Sequence, residues 1–225
     1  MRPMIVTIPA GCVLACLGGL MWVQAKARSE SPYSTSTDII TNQPRHLVTE
    51  QMTAETAARR NSLEPVTSAI DVNGAHVTLG SQQSDKPQFV YFILEGCPCS
   101  FDAEPLFHDL YKRFKGKIDF VSVTNGDKGQ ALRWSRELSV PYPVISDPKE
   151  NIIHAYGAKA SVYSALITKD GHIAKMWPGY SKDLLMEMNT WMSNLAGLPE
   201  TPFDTKYAPI IKATGCAFST LPRKT

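Results

Sequence analysis

The chain contains 225 residues, of which 43% are hydrophobic and 20% are charged. This length and composition are typical of one globular domain with additional segments. The net charge of +2, from 23 basic and 21 acidic residues, gives no electrostatic basis for binding nucleic acid or an acidic partner.

The N-terminal region has the pattern of an export signal. Arg2 is followed by an uncharged, largely apolar stretch from Ile5 to Val23, and the small-x-Ala motif that signal peptidase reads ends at Ala25 or Ala27. We expect residues 1–25 to be a signal peptide or, since about 19 apolar residues nearly span a bilayer, a membrane anchor. Either alternative places the rest of the chain outside the cytoplasm, in a periplasmic or other extracytoplasmic compartment where disulfide chemistry is common.

A polar segment separates the N-terminal region from the part of the chain that is predicted to form the folded domain. Residues 26–68 are rich in Ser, Thr, Glu, Asn and Pro, which predicts a flexible tether. The predicted domain covers residues 69–197 and opens with two short alternating strands around Asn73-Gly74, a strong hairpin signal. The near-continuous apolar run from Gln88 to Leu94 is typical of a central strand covered on both faces.

Two cysteines flank a proline where this apolar strand ends and a helix begins. Apolar residues at helical spacing predict the helix after Cys97-Pro98-Cys99, and we expect Ser100 to be its N-cap. A thiol at a helix N-terminus faces free backbone N–H groups, which favour the thiolate. Thiolates attack disulfides and peroxides and bind soft metals, whereas a structural cysteine would simply be buried.

The remaining elements alternate between strands and helices. They are predicted as a strand at 118–124, a helix at 128–138, a short strand at 142–145, a short helix at 150–156, a hairpin of strands at 163–168 and 172–177, and a helix from Ser181 to Gly197. This order implies a mixed sheet with helices on both faces. Residues 198–225 are predicted to be an irregular tail whose chemical landmark is Cys216.

The order of elements and several motifs resemble the thioredoxin fold and, more narrowly, the alkyl hydroperoxide reductase/thiol-specific antioxidant (AhpC/TSA, or redoxin) family. The similarity extends over about residues 70–197 and is carried by Asn73-Gly74, Cys97-Pro98, Glu104-Pro105, Pro143–Asp147, Tyr156-Gly157 and Leu166–Gly171. It implies a thioredoxin-like three-layer α/β/α sandwich with a mixed central sheet.

The resemblance also implies a thiol-dependent oxidoreductase with antioxidant activity and no cofactor. Pro105 lies eight residues after Cys97, as the helix proline does after the nucleophile of redoxin disulfide reductases, so Cys97 takes the place of the attacking thiol. The expected substrate is a peroxide or a protein disulfide, and the electron donor is an unidentified thiol. Of the three cysteines beyond the leader, two can pair in one chain, so either Cys99 or Cys216 resolves Cys97.

Two positions depart from the family pattern. Leu94 stands where family peroxidases carry a threonine, and Val162 stands where they carry an arginine and where disulfide reductases carry a cis-proline.

Copper-delivery proteins of the same fold offer an alternative without turnover, because thiolates suit Cu(I). Their histidine position falls at Ala160, with His108, His154 and His172 as other candidates in the area. A domain that keeps the fold with little chemistry is the remaining alternative.

Overall fold

The computed structural model describes residues 44–64, 66–80 and 84–219. The predicted leader, residues 1–25, lies outside the described residues, as do Cys12, Cys16, the first part of the predicted tether and residues 220–225. Within the described part, no helix is long and apolar enough to cross a membrane.

The described residues form five helices and seven strands, which follow the predicted order except that the first helix precedes the predicted elements. The helices are α1 (Glu50–Ala58), α2 (Pro98–Phe114), α3 (Lys128–Glu137), α4 (Asn151–Ala155) and α5 (Lys182–Ala196). The strands are β1 (Thr67–Ile70), β2 (His76–Leu79), β3 (Gln88–Ile93), β4 (Asp119–Thr124), β5 (Val144–Ser146), β6 (Ser164–Ile167) and β7 (Ile173–Trp177). Helix α1 lies within the segment predicted to be a tether.

The central sheet has five strands in the order β5-β4-β3-β6-β7. Strands β3, β4 and β5 are parallel to one another, whereas β6 runs antiparallel to both of its neighbours, β3 and β7, so the sheet is mixed as predicted. Strands β1 and β2 form the predicted separate hairpin, in which the Asp71 carboxylate accepts bonds from the amides of Asn73 and Ala75. Gly74 supplies the positive φ of 89° that this turn requires.

Strand β3 is the centre of the sheet because both of its faces are covered. All six of its residues are buried, and successive side chains alternate between two clusters. Phe89 and Tyr91 pack in the first cluster with apolar side chains of α2, α3 and α5. Val90 and Phe92 pack in the second cluster, with Ile153 of α4. Helices therefore lie on both faces of the sheet.

Helix α2 begins one turn earlier than the sequence suggested. Its N-cap is Cys97 and Pro98 is its first residue, a position where proline costs no hydrogen bond. The expectation that Ser100 caps the helix is therefore wrong. The buried hydroxyl of Ser100 instead accepts a hydrogen bond from the amide of Leu94, in the turn that precedes the helix, at 3.4 Å.

The residues from 212 to 219, which we call the C-terminal segment, are tied to the domain by backbone hydrogen bonds. Ala213 and Tyr180 exchange two such bonds, at 2.8 and 2.9 Å. Farther along, the amide of Phe218 donates to the carbonyl of Lys159 at 3.0 Å, and the Phe218 ring is buried in the second cluster. The predicted irregular tail thus contains an ordered stretch that runs across the loop before β6.

Candidate active site

Cys97 is placed by the short connection between the central strand and α2. Its amide donates to the carbonyl of Leu94 at 3.1 Å, and Gly96 takes a positive φ of 75° to make this tight turn. As the N-cap of α2, Cys97 lies at the positive end of the helix dipole. The residue is 1% exposed, so protein groups rather than bulk water surround the sulfur.

Several donors point at the sulfur of Cys97. The hydroxyl of Ser161 lies 3.3 Å away and the amide nitrogen of Cys216 lies 3.2 Å away. Hydrogen bonds from the thiol of Cys99, from Cys216 and from Ser161 outweigh the opposing effect of burial and lower the pKa of Cys97 from 9.0 to about 3. Cys97 is thus a thiolate at neutral pH, and a thiolate is the nucleophilic form of cysteine.

Cys99 lies in the first turn of α2 and is buried. Its hydrogen bond to Cys97 raises its pKa, and burial and the negative charge of Cys97 raise it further. Cys99 therefore keeps its proton and serves as a donor to the Cys97 thiolate.

Cys216 reaches the site because the C-terminal segment pairs with the loop before β6. The Gly215 amide donates to the Ser161 carbonyl at 3.0 Å, and the Ser161 amide donates to the Cys216 carbonyl at 2.9 Å. Cys216 is half-buried, and burial together with its interaction with Cys97 raises its pKa to about 11. Its sulfur also lies 3.5 Å from Nε2 of His46, in the segment before α1.

The structure thus brings the three predicted cysteines, Cys97, Cys99 and Cys216, into one cluster with no disulfide among them. Three further residues of the cluster were not anticipated from the sequence: Ser161, Gly215 and His46. No local motif marks them, because Ser161 and His46 reach the sulfur atoms, and Gly215 reaches Ser161, through contacts between distant parts of the chain.

Leu94 and Val162, the two positions that depart from the family pattern, bring apolar side chains to the site. Val162 is buried with a φ of +66°, and its amide donates to the Phe92 carbonyl at 2.8 Å. A β-branched residue rarely adopts this φ, so the loop next to Cys97 is held in a strained conformation. Leu94 contributes only backbone groups to the hydrogen bonds at the turn.

The histidines considered for copper each have a carboxylate neighbour. His108 lies 3.2 Å from Glu104, His154 lies 3.4 Å from Glu150, and His172 lies 3.2 Å from Asp170. Within residues 44–64, 66–80 and 84–219, no group of three or more His, Cys, Asp or Glu side chains has an arrangement that could hold a metal ion.

The fold and the thiol cluster agree with the family relationship found from the sequence. Residues 60–176, more than half of the chain, match the AhpC/TSA family, and the protein belongs to this family. The match includes Cys97 and Cys99 but ends before Cys216. No curated protein matches the chain.

Solved structures confirm the thioredoxin-like fold. An uncharacterized conserved protein from Geobacillus kaustophilus superposes with a TM-score of 0.57 at 17% identity, covering 72% of this chain and 93% of that one. A protein described as the thiol:disulfide interchange protein DsbE from Chlorobium tepidum gives 0.56 at 18% identity, covering 61% and 98%. Peroxidoxin BcpB from Mycobacterium tuberculosis gives 0.53 at 16% identity, covering 63% and 98%.

Proposed function

We propose that the protein is a thiol–disulfide oxidoreductase in which Cys97 attacks the substrate and Cys216 resolves the intermediate. Family membership supports thiol redox chemistry in general. The observation that carries the choice of Cys216 is its contact with Cys97, whose sulfur lies 3.2 Å from the Cys216 amide nitrogen.

In the first step the Cys97 thiolate attacks one sulfur of a substrate disulfide. A mixed disulfide forms between Cys97 and that sulfur, and the other substrate sulfur leaves as a thiolate that takes a proton from water. The hydrogen bonds from Ser161 and from the Cys216 amide favour this step because they keep Cys97 ionised at neutral pH.

In the second step the Cys216 thiol loses its proton and attacks the sulfur of Cys97. The Cys97–Cys216 disulfide forms, and the second substrate sulfur leaves and is protonated. The substrate has then gained two electrons and two protons, and the protein dithiol has been oxidised. A dithiol reductant returns the protein to its starting state by the same exchange in reverse.

Cys99 is the less favourable resolving thiol. A Cys97–Cys99 bridge would close a very small ring around Pro98 within the first helical turn, where the backbone fixes the distance and direction of both side chains. Its raised pKa also keeps Cys99 protonated beside Cys97. We therefore assign Cys99 the role of a donor that stabilises the Cys97 thiolate.

The burial of Cys97 favours a small hydroperoxide as a second class of oxidising substrate. The sulfur lies beneath the C-terminal segment with 1% of the residue exposed, so a protein disulfide reaches it only after that segment moves. With a hydroperoxide, the thiolate attacks the terminal oxygen, the O–O bond breaks, and the leaving oxygen takes up a proton. Cys97 becomes a sulfenic acid, from which Cys216 displaces hydroxide as water to give the same disulfide.

The test compares the reduced full-length protein with the Cys99→Ser and Cys216→Ser variants. Each is mixed with a limiting cysteine-peptide disulfide or with limiting hydrogen peroxide, free thiols are blocked, and the bridges are mapped by mass spectrometry. We expect the wild type and Cys99→Ser to form the Cys97–Cys216 bridge and Cys216→Ser to stop at the mixed disulfide or the sulfenic acid.

The two reagents separate the two substrate classes. Faster loss of the free Cys97 thiol with the peptide disulfide supports disulfide exchange, and faster loss with peroxide supports a peroxidase. A bridge that needs Cys99 but not Cys216 would overturn the assignment of the resolving thiol. Full recovery of the three thiols with both reagents would overturn the proposed function.

The predicted export of the chain leads us to propose an oxidising compartment for this chemistry.

A further inference from the structure

His46 occupies a position that the proposed chemistry leaves unexplained. Its Nε2 lies 3.5 Å from the sulfur of Cys216. The contact is fixed by the backbone, because the amide of Thr214 donates to the carbonyl of His46 at 3.0 Å and the amide of Val48 donates to the carbonyl of Lys212 at 3.0 Å. His46 and Cys216 are therefore held side by side, although 170 positions separate them in the chain.

The second step of the proposed cycle has a requirement that Cys216 does not meet by itself. Only the thiolate is a good nucleophile, and burial raises the pKa of Cys216 above its ordinary value. Once Cys97 is bonded to the substrate its negative charge no longer adds to this effect, but even a free thiol, with a pKa of about 8.5, is mostly protonated at pH 7. Attack at a useful rate needs a base that takes the proton as the S–S bond forms.

We propose that His46 is a catalytic residue that takes the proton from Cys216 when Cys216 attacks Cys97. The inference rests on the proposed Cys97–Cys216 disulfide. Nε2 of the neutral imidazole accepts the Cys216 proton, the Cys216 sulfur bonds to the Cys97 sulfur, and the bond from Cys97 to the substrate sulfur or hydroxyl oxygen breaks. The leaving group takes a proton from water, and the imidazolium then releases its proton to solvent.

The surroundings of His46 suit this role. Cys216 is half-buried, whereas His46 is exposed, so the imidazole connects the thiol to bulk water. The neighbouring charged and titratable groups are Arg45 next to it in the chain, Cys97 and Cys216 at the sulfur cluster, and Asp102 and Tyr180, which interact electrostatically with Arg45. Of the histidines among the described residues, His46 is the one whose ring is hydrogen-bonded to a cysteine sulfur.

The test measures the two steps separately in the full-length protein. A stoichiometric chromogenic aryl disulfide oxidises the reduced protein in a stopped-flow mixer. Release of the first aryl thiolate reports attack by Cys97, and release of the second reports attack by Cys216, with acid quench and mass spectrometry to identify the Cys97–Cys216 bridge. The variants are His46→Gln, which keeps a polar side chain without a proton-accepting nitrogen, and His46→Ala. The control is His172→Gln, because His172 lies in the β6–β7 hairpin and pairs with Asp170.

We expect His46→Gln to slow the second release about 10- to 100-fold at pH 7 while leaving the first release within about twofold of the wild type. The slow rate should rise about tenfold per pH unit as Cys216 ionises without help, and the difference from the wild type should narrow towards pH 10. Added imidazole should restore the second release in His46→Ala. A purely structural role for His46 would produce neither the changed pH profile nor the rescue.

The outcomes separate this inference from the proposed function. If the wild type forms the Cys97–Cys216 bridge and His46→Gln forms it at the same rate between pH 6 and 8, His46 is not the base. If the wild type shows no such bridge, Cys216 is not the resolving thiol, and the assignment on which this inference rests is overturned.

Discussion

Gly215 approaches Ser161 so closely that no side chain fits between them. The Gly215 amide donates to the Ser161 carbonyl at 3.0 Å, and a Cβ atom at position 215 would lie 1.7 Å from the Ser161 hydroxyl oxygen and 3.0 Å from its carbonyl oxygen. This approach brings the amide of Cys216, the next residue, to the sulfur of Cys97. The missing side chain of one glycine thus determines where Cys216 lies.

Gly215→Ala should therefore separate Cys216 from Cys97 without unfolding the domain. The added methyl group displaces the C-terminal segment, and we expect the Cys97–Cys216 bridge to form at least tenfold more slowly after oxidation. Quenched-flow mass spectrometry measures this rate, and Gly129→Ala in α3 is the matched control, since the new methyl group there meets only the Asp127 and Arg133 side chains. An unchanged rate in Gly215→Ala would show that the close approach does not control the position of Cys216.

The hydroxyl of Ser161 should lower the pKa of Cys97 through its 3.3 Å contact with the sulfur. Hydrogen bonds to the charged form favour ionisation, so removing one raises the pKa. We expect Ser161→Ala to raise the pKa of Cys97 by about one pH unit, given about 1.5 kcal/mol for a hydrogen bond to a charged group.

Thiolate absorbance near 240 nm measures this pKa as a function of pH, with Cys97→Ser to identify the signal. In the wild type the signal should persist from neutral pH down to below pH 5 and disappear only as the pH falls through the lowered pKa of Cys97. Ser164→Ala is the control, because Ser164 is also buried but its hydroxyl has no hydrogen-bond partner among the described residues. Equal titrations of the two serine variants would contradict the role of Ser161.

The difference between local and distant contacts explains what the sequence could and could not predict. The apolar run into Cys97 and the helical spacing after it are local patterns, so the strand, the helix and the position of the first thiol follow from neighbouring residues. The sequence pattern predicts the start of α2 one turn too late, because Cys97 caps the helix through its backbone rather than with a side-chain hydrogen bond. The order of strands and helices also predicts the mixed sheet, and the family resemblance adds the thioredoxin-like fold and the priority of Cys97 as the attacking thiol.

The surroundings of the thiolate depend instead on parts of the chain that meet only after folding. The contact between Cys97 and Cys216 joins residues 119 positions apart, and the contact between Cys97 and Ser161 joins residues 64 positions apart. No periodicity or spacing in the sequence encodes such pairs. Cys216 could be singled out from the sequence because its thiol is reactive, but nothing in the sequence pointed to its partner His46.

Glu104 is a buried carboxylate that should stabilise the domain. It accepts hydrogen bonds from the hydroxyls of Tyr91 and Tyr142, the latter at 2.7 Å, and lies 3.2 Å from His108. Glu104→Ala leaves both hydroxyls unsatisfied in the core, and we expect the free energy of unfolding to fall by about 3 kcal/mol.

Urea denaturation measures this loss. Glu104→Gln keeps the shape and one acceptor oxygen and should cost less, about 1–2 kcal/mol. Asp109→Ala on the exposed face of the same helix is the control and should change stability by less than about 0.5 kcal/mol. A cost for Glu104→Ala as small as that of the control would show that the carboxylate contributes nothing net to stability.

Glu150 should determine how firmly the C-terminal segment covers Cys97. Its carboxylate accepts bonds from the amide of Ser219, at 3.0 Å, and from the Ser219 hydroxyl, and Nε2 of His154 lies 2.9 Å from the Ser219 carbonyl oxygen. Burial alone would raise the pKa of Glu150, but hydrogen bonds from Ser219 and Asn125 outweigh it and hold the pKa below its ordinary value. The two hydrogen bonds from Ser219 to Glu150, which we call the clasp, are therefore complete at neutral pH. They weaken only as the pH falls through the lowered pKa of Glu150.

Replacing Glu150 by alanine removes the clasp and should let the segment open more often. We expect a bulky maleimide to label Cys97 about fivefold to tenfold faster at pH 7 in Glu150→Ala, because opening must precede reaction at a residue that is 1% exposed in the closed state. Asp170→Ala is the matched control, since it removes an exposed carboxylate beside His172 in the β6–β7 hairpin.

Labelling of Cys97 should also accelerate in the wild type as the pH falls far enough to protonate Glu150, once the slower reaction of maleimide at acidic pH is corrected with a free-thiol peptide. Equal labelling rates in Glu150→Ala, Asp170→Ala and the wild type would mean that the segment opens from its other end, where Ala213 pairs with Tyr180.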